Sequence, residues 1–127
     1  MNVVDSSGWL EYFTDGENAG FFGTAIEAVD ELIIPSISLF EVFKRILIER
    51  NRDDALEAIA LMKAGDVVDL DDNLALVAAE LSFELKLPMA ESIILATARA
   101  RAHAATLWTQ DAHFKNIDGV RYIEKKS

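Results

Sequence analysis

Four acidic residues in a chain of 127, Asp5, Glu41, Glu91 and Asp111, stand where a carboxylate can do more than face water. Asp5 closes the apolar run "NVVD", and Glu41 comes shortly after a second apolar run, "ELIIPS". Glu91 is the one charge in "LPMAESIILATA", and Asp111 directly follows "ATLWT", inside "TQDAHF". Carboxylates brought within a few Å repel, and each raises its neighbours' pKa. Burying them without compensation costs roughly several kcal/mol per charge. No fixed set of four cations in the sequence offsets such a group, but divalent metal ions do. An all-oxygen donor set selects hard cations, so Mg²⁺ or Mn²⁺ is expected rather than Zn²⁺. Metal-assisted hydrolysis needs no side-chain nucleophile, which suits a chain with no cysteine and no Ser/His/Asp pattern.

Singly, each acid has an ordinary structural account. Asp5 can cap a helix, and Glu41 can pair with Lys44 or Arg45, three and four residues on. Glu91 can complement a positive helix start, and Asp111 can sit in a turn with Thr109 capping. The same account covers Asp53, Asp54, Asp71 and Asp72 as solvated caps. The catalytic alternative depends on the elements that position the four.

Residues 2–5 read as a first strand, and "SSGWLEYF" (6–13) as a helix capped by Ser6 or Ser7, with Trp9, Leu10 and Phe13 on one face. A helix over 17–30 presents Phe21, Phe22, Ala25, Ile26 and Val29. "ELIIPS" (31–36) is a buried strand closed by Pro35, followed by a helix from about 38 to 50 with Leu39, Phe40, Phe43, Ile46 and Leu47 as its core stripe. Glu41 then falls in that helix's first turn. "RDDALEAIALMKAG" is a helix stopped by Gly65, and "DVVDL" (66–70) is a third strand. Asp71 or Asp72 caps a helix with Leu74, Val77, Ala78, Leu81 and Leu85 as its stripe; Pro88 ends it. An alanine-rich helix over 90–104 leads to a fourth strand at 105–109, and "GVRYIE" (119–124) is a fifth candidate. This alternation predicts a three-layer α/β/α domain around a mainly parallel sheet of four to five strands, as one unit over residues 1–127. Ligands of such sheets bind beyond the carboxyl ends of the strands, near the switch in strand order. Asp5 and Asp111 lie there by chain position, and Glu41 follows a strand into its helix. Glu91 opens a helix that runs back antiparallel to the strands, so it too starts at that edge. All four are expected to converge.

Composition narrows the function classes. The net charge of −10 argues against a generic nucleic-acid coat, and setting the four acids aside (22 − 4 = 18, against 12 Lys and Arg) still leaves −6. Any RNA must be held by local basic groups and metal ions; Lys44, Arg45, Arg99, Arg101 and Lys115 are the candidates near the rim. No apolar run approaches the roughly 20 residues of a membrane span, and the N-terminus has no basic leader, so a cytoplasmic domain is expected. His103 and His113 show no metal-ligand spacing, and His113 reads as an exposed turn residue. Trp9, Trp108, Phe21 and Phe22 read as core or dimer surface. A phosphotransfer receiver or a haloacid-dehalogenase-like phosphatase would want an acid pair or Asp-x-Asp at Asp5, which is absent.

The blocks "VVDSSGWLEYF", "SISLFEVFKRIL", "LPMAESIILATARA" and "TLWTQDAHFKNIDGV", taken in order, resemble PIN-domain nucleases, most closely the VapC-type toxins of toxin–antitoxin pairs. The resemblance covers nearly the whole chain. It implies a Mg²⁺- or Mn²⁺-dependent ribonuclease, often a homodimer, held in check by a cognate antitoxin. The family's acidic quartet maps onto Asp5, Glu41, Glu91 and Asp111, with Thr109 at its supporting hydroxyl position; Ser6 is a second supporting hydroxyl. One departure stands out: the block usually reads Ala-Asp, and here it reads Ala90-Glu91. The extra methylene moves the carboxylate by about 1.5 Å, and a misplacement on the order of 1 Å can cost ~10²-fold in rate. The alternative is therefore a weakly active or inactive binding module that acts mainly through an antitoxin or through self-association.

Overall fold

A computed structural model describes residues 1–100 and 105–126. Along the chain run β1 (Asn2–Val4), α1 (Ser6–Phe13), α2 (Ala19–Ile26), β2 (Leu32–Pro35), α3 (Ser36–Glu49) and α4 (Arg52–Met62). They are followed by β3 (Asp66–Val68), α5 (Asp72–Leu85), α6 (Met89–Arg99), β4 (Thr106–Thr109) and β5 (Val120–Tyr122). The five strands form one sheet in the order β3-β2-β1-β4-β5, and every pairing is parallel.

Strand residues alternate between two buried faces, which explains why β1, β2 and β4 are apolar throughout. Val4, Ile34 and Trp108 point to the side covered by α1–α4, where Trp9, Phe22, Val42, Ile46 and Met62 complete the core. Val3, Ile33 and Leu107 point to the other side, against Ile94, Leu95 and Ala98 of α6 and Phe114 beyond β4. α5 packs on α6 through Leu74, Ala78, Ile93 and Ala96. The small residues of α6 let it lie close to the sheet, and seven consecutive positions, Ser92 to Ala98, are buried.

The expected three-layer α/β/α fold is what forms, with local differences. α2 ends at Ile26 rather than continuing to 30; a separate 3-10 turn occupies Val29–Glu31. α3 begins at Ser36, directly after Pro35, so Glu41 lies in its second turn. Its buried face is Ser38, Val42 and Ile46, while Phe40, named above for the core stripe, is 62% exposed and Leu47 is also outside. Val77 and Leu85 of α5 are likewise exposed. The last part of the helix expected over 90–104 lies outside the described residues. Trp9, Phe22 and Trp108 are core, and Phe21 packs at the core's edge against Trp108 in a tilted arrangement.

Candidate functional site

The strand order reverses at β1: β2 and β3 extend to one side and β4 and β5 to the other. At this point the ladder pairs Val4 with Trp108, so the next residues, Asp5 and Thr109, emerge side by side at the carboxyl edge. The Asp5 N–H donates to Trp108 O at 3.1 Å, carrying the pairing one step past the strand. Asp5 also caps α1, where Ser6 or Ser7 was expected to: Gly8 N donates to its Oδ1 at 2.9 Å. Glycine is required at that cap, since a Cβ on Gly8 would lie 2.6 Å from the Phe22 ring and 2.7 Å from Val4. Ser7 Oγ donates to Asp5 Oδ1 at 2.8 Å, and Thr109 Oγ1 donates to Oδ2 at 2.6 Å.

Asp5 is 3% exposed. Its pKa is pushed up from 3.8 to about 6, chiefly by burial, with the charge of Asp111 adding to it. The hydrogen bonds from Thr109, Gly8 and Ser7 pull the other way, and they do not suffice. Among the described residues no positive charge offsets the ionised form.

Thr109 connects this inner acid to the rim. Its Oγ1 accepts from Asp111 N at 2.9 Å while donating to Asp5. Asp111 Oδ1 in turn accepts from His113 N at 2.9 Å, closing the 3-10 turn Ala112–Phe114. Glu91 arrives from the start of α6, and its Oε2 is buried with no hydrogen-bond partner among the described residues. Burial first, then the charge of Asp111 and to a lesser extent that of Glu41, raise the Glu91 pKa; His113 opposes them. Glu41 reaches the edge from α3. It accepts from Ser6 Oγ at 2.6 Å through Oε1, rather than pairing with Lys44 or Arg45.

All four acids thus meet at one edge, though not as equals. The tightest group is Glu91, Asp111 and His113, whose ligand atoms lie within 4.8 Å of one another. His113 Nδ1 is 3.3 Å from Asp111 Oδ1 and 3.6 Å from Glu91 Oε2. His113 is exposed, as its sequence position suggested, but it belongs to the site, which sequence reasoning missed. The spacing Asp111-x-His113 around a turn was the clue available.

The basic candidates are dispersed. Arg99, about 12 Å along α6 from Glu91 at ~1.5 Å per residue, donates to Asp118 O at the opposite, amino edge of the sheet. It is not near the rim, as had been expected. Arg45 pairs with Glu49 at 3.6 Å, and the neighbouring Arg50 with Asp54 at 3.8 Å. Both arginines line a cleft of about 480 Å³ between α1, α3 and α4 that touches the acid edge only through Ser7 and Gln110. Lys44 lies one turn beyond Glu41, its Nζ 5.8 Å from the Phe40 ring centre, and Lys115 is exposed just after the His113 turn. Arg101 and His103 lie outside the described residues.

Among the described residues no lysine or arginine forms an ion pair with Asp5, Glu41, Glu91 or Asp111. Clustered carboxylates, one carrying an unpartnered buried oxygen, are a donor set that fits a hard divalent cation. Also among the described residues, no helix is long and apolar enough to cross a membrane.

A family model for the PIN domain matches residues 3–120. No curated protein matches. Among solved structures, a toxin–antitoxin complex from Klebsiella pneumoniae superposes with a TM-score of 0.78 at 23% identity, covering 95% of this chain and 96% of that one. VapC20 of Mycobacterium tuberculosis, a sarcin–ricin-loop-cleaving toxin, gives a TM-score of 0.76 at 14% identity, over 93% and 95% of the two chains. VapBC2 from Rickettsia felis, bound to a promoter DNA fragment, gives 0.72 at 15% identity, over 97% of each. At these identities the structural likeness speaks for the fold.

Proposed function

This chain belongs to the PIN domain family, and from that premise we propose that it is a Mg²⁺- or Mn²⁺-dependent endoribonuclease serving as the toxin of a toxin–antitoxin pair. The observation that carries the proposal is the buried, unpartnered Oε2 of Glu91, set beside Asp111 and Glu41 with no lysine or arginine in reach among the described residues. Glu91 and Asp111 would hold the ion at the rim, with Asp5 behind them. A bound divalent ion offsets negative charge on the phosphate and makes water a stronger acid at neutral pH.

The chain's own residues perform the remaining tasks. Ser6 fixes Glu41 through Oε1 and leaves Oε2 to orient the attacking water and take its proton. Thr109 keeps Asp5 and Asp111 in register by serving as donor to one and acceptor to the backbone of the other. Water attacks phosphorus and passes a proton to Glu41, the bond to the 3′ oxygen breaks, and that oxygen takes a proton from solvent water as it leaves. The products are a 5′-phosphate and a 3′-hydroxyl. Among the described residues RNA contact falls to Lys44 and Lys115, since Arg45 is paired within its own helix and Arg99 is remote. So few basic groups suit a short contact with an RNA loop rather than long-range attraction.

The Klebsiella structure is a toxin–antitoxin complex and the Rickettsia structure is a VapBC assembly, which supports an antitoxin partner here. An antitoxin arginine entering the acid cluster would compete with the metal. Exposed Phe40, Phe83 and Met89 offer apolar surface for association, including a homodimer. Incubation with total RNA, with and without Mn²⁺, tests the activity. Metal-dependent cleavage is expected. Tight Mn²⁺ binding with no cleavage of any RNA pool would replace the enzyme with the binding module.

A further inference from the structure

We infer that His113 is itself a metal ligand, giving the site a nitrogen donor that makes it prefer Mn²⁺ to Mg²⁺. The inference rests on the metal-dependent reading of the site and adds to its all-carboxylate donor set.

Placement is the first support. His113 Nδ1 faces the two rim carboxylates, 3.3 Å from Asp111 Oδ1 and 3.6 Å from Glu91 Oε2. Donors about 2.1 Å from a shared ion lie about 3.0 Å apart at right angles and about 3.4 Å apart at the tetrahedral angle. The two edges from His113 match those values to within a few tenths of an ångström, and the three ligand atoms lie within 4.8 Å of one another, so movement of an exposed ring would bring them toward one ion. Glu91 Oε2, the oxygen nearest the ring, is the buried atom without a hydrogen bond.

The turn is the second support. His113 N donates to Asp111 Oδ1, so the backbone that carries the imidazole is tied to the carboxylate it would share a metal with. That bond fixes the ring's origin while the side chain, 58% exposed, stays free to adjust.

The chemistry then sets the preference. Mg²⁺ takes oxygen donors and gives up water reluctantly. Imidazole suits transition ions, whose affinity for nitrogen-containing sites rises from Mn²⁺ onward along the first row. A site of two carboxylates and one imidazole therefore discriminates against Mg²⁺ in a way four carboxylates would not. The competing arrangement is a protonated His113 standing as a cation between the acids, with the metal bound by oxygens alone.

Pulsed EPR on the full chain loaded with MnCl₂ separates these. Electron spin-echo modulation from a directly bound ¹⁴N is expected in the wild type and in His103→Asn, and it should vanish in His113→Gln. Calorimetric titration with MnCl₂ and MgCl₂ is the second readout. Losing even an outer partner of a ligand costs about 10–100-fold in affinity, so His113→Gln should weaken Mn²⁺ binding by at least about tenfold and leave Mg²⁺ binding unchanged. Bound Mn²⁺ without nitrogen modulation in the wild type, or equal weakening for both ions, overturns the nitrogen ligand while the carboxylate metal site stands. No Mn²⁺ binding at all overturns both. Nitrogen-ligated Mn²⁺ with no cleavage of RNA upholds this inference and removes only the nuclease.

Discussion

The inner and outer halves of the acid cluster solve the same electrostatic problem differently. Around Asp5 both oxygens have partners: a backbone N–H and a serine on Oδ1, a threonine on Oδ2. At Glu91 one oxygen is buried and has no hydrogen-bond partner among the described residues. The inner acid is held in place by the fold itself, through a helix cap and a neighbouring strand end. The outer acid is brought to the edge by the direction of α6 and left with an unmet demand. Rigid hydrogen bonding thus positions the inner half, while the outer half keeps a buried oxygen without a hydrogen bond among the described residues. Even so, Asp5 remains strained in charge, because its hydrogen bonds do not undo the effect of burial.

Replacing Asp5 by Asn tests that division most severely. Cleavage of RNA is expected to fall by about 10²–10³-fold, the scale of removing one preorganised electrostatic element. In the absence of metal the same variant should be more stable than the wild type at neutral pH, because the buried charge is gone. A variant that lost both activity and stability would show that Asp5 is structural, and metal-free cleavage that survived it would remove the metal mechanism.

The next effect is the pH dependence of stability. The Asp5 pKa is raised from 3.8 to about 6, so the native state binds that proton more tightly than the unfolded chain. The associated stability is full below about pH 3.8 and is lost as pH rises through about 6. At ~1.36 kcal/mol per unit this is roughly 3 kcal/mol, and the raised Glu91 acts in the same direction. Urea denaturation in EDTA should therefore show the wild type losing stability relative to Asp5→Asn between about pH 4 and pH 7. Mn²⁺ should restore it above pH 6. Parallel profiles for the two proteins would mean that Asp5 is not perturbed.

A smaller effect is expected from Thr109→Val, which keeps the shape and removes the bridging hydroxyl. Asp111 N loses its acceptor and Asp5 Oδ2 loses the shorter of its two donors, keeping Ser7 Oγ at 3.0 Å. The cost expected is about 1–3 kcal/mol, together with weaker Mn²⁺ binding by calorimetry. Unchanged metal affinity would sever the proposed link between inner acid and rim.

Three of the four acids were legible because each is tied by chain position to a strand. Asp5 and Asp111 end apolar runs, and Glu41 follows one into its helix. Glu91 needed one further step, the running direction of α6, and the topology supplied it. His113 was not legible in the same way, because its ring meets Glu91 only through a 3-10 turn whose geometry no periodicity announces. Arg99 looked close to Glu91 along the chain, but helix rise carries it to the far edge. The α3 stripe failed for a related reason: Phe40 and Ser38 both lie at helical spacing, and only the surrounding layers decide that the serine faces inward. Ser38 Oγ is buried with no hydrogen-bond partner among the described residues.

The least disruptive change is Glu91→Asp, which restores the residue usual in this family's block. Shortening the side chain by one methylene draws the carboxylate back by about 1.5 Å, away from the imidazole that now lies 3.6 Å from it. If the remaining donors set the ion's position, the shorter acid meets it without strain, and kcat/KM is expected to stay level or rise by less than about tenfold, under about 1.4 kcal/mol. If instead His113 and Glu91 together fix the ion farther out, the shorter acid breaks that pairing and activity falls. The first outcome sharpens the contrast between rim and inner acid, because the rim then tolerates change that Asp5 does not. A drop as large as that of Asp5→Asn would erase it, making the outer acid as tightly positioned as the inner one.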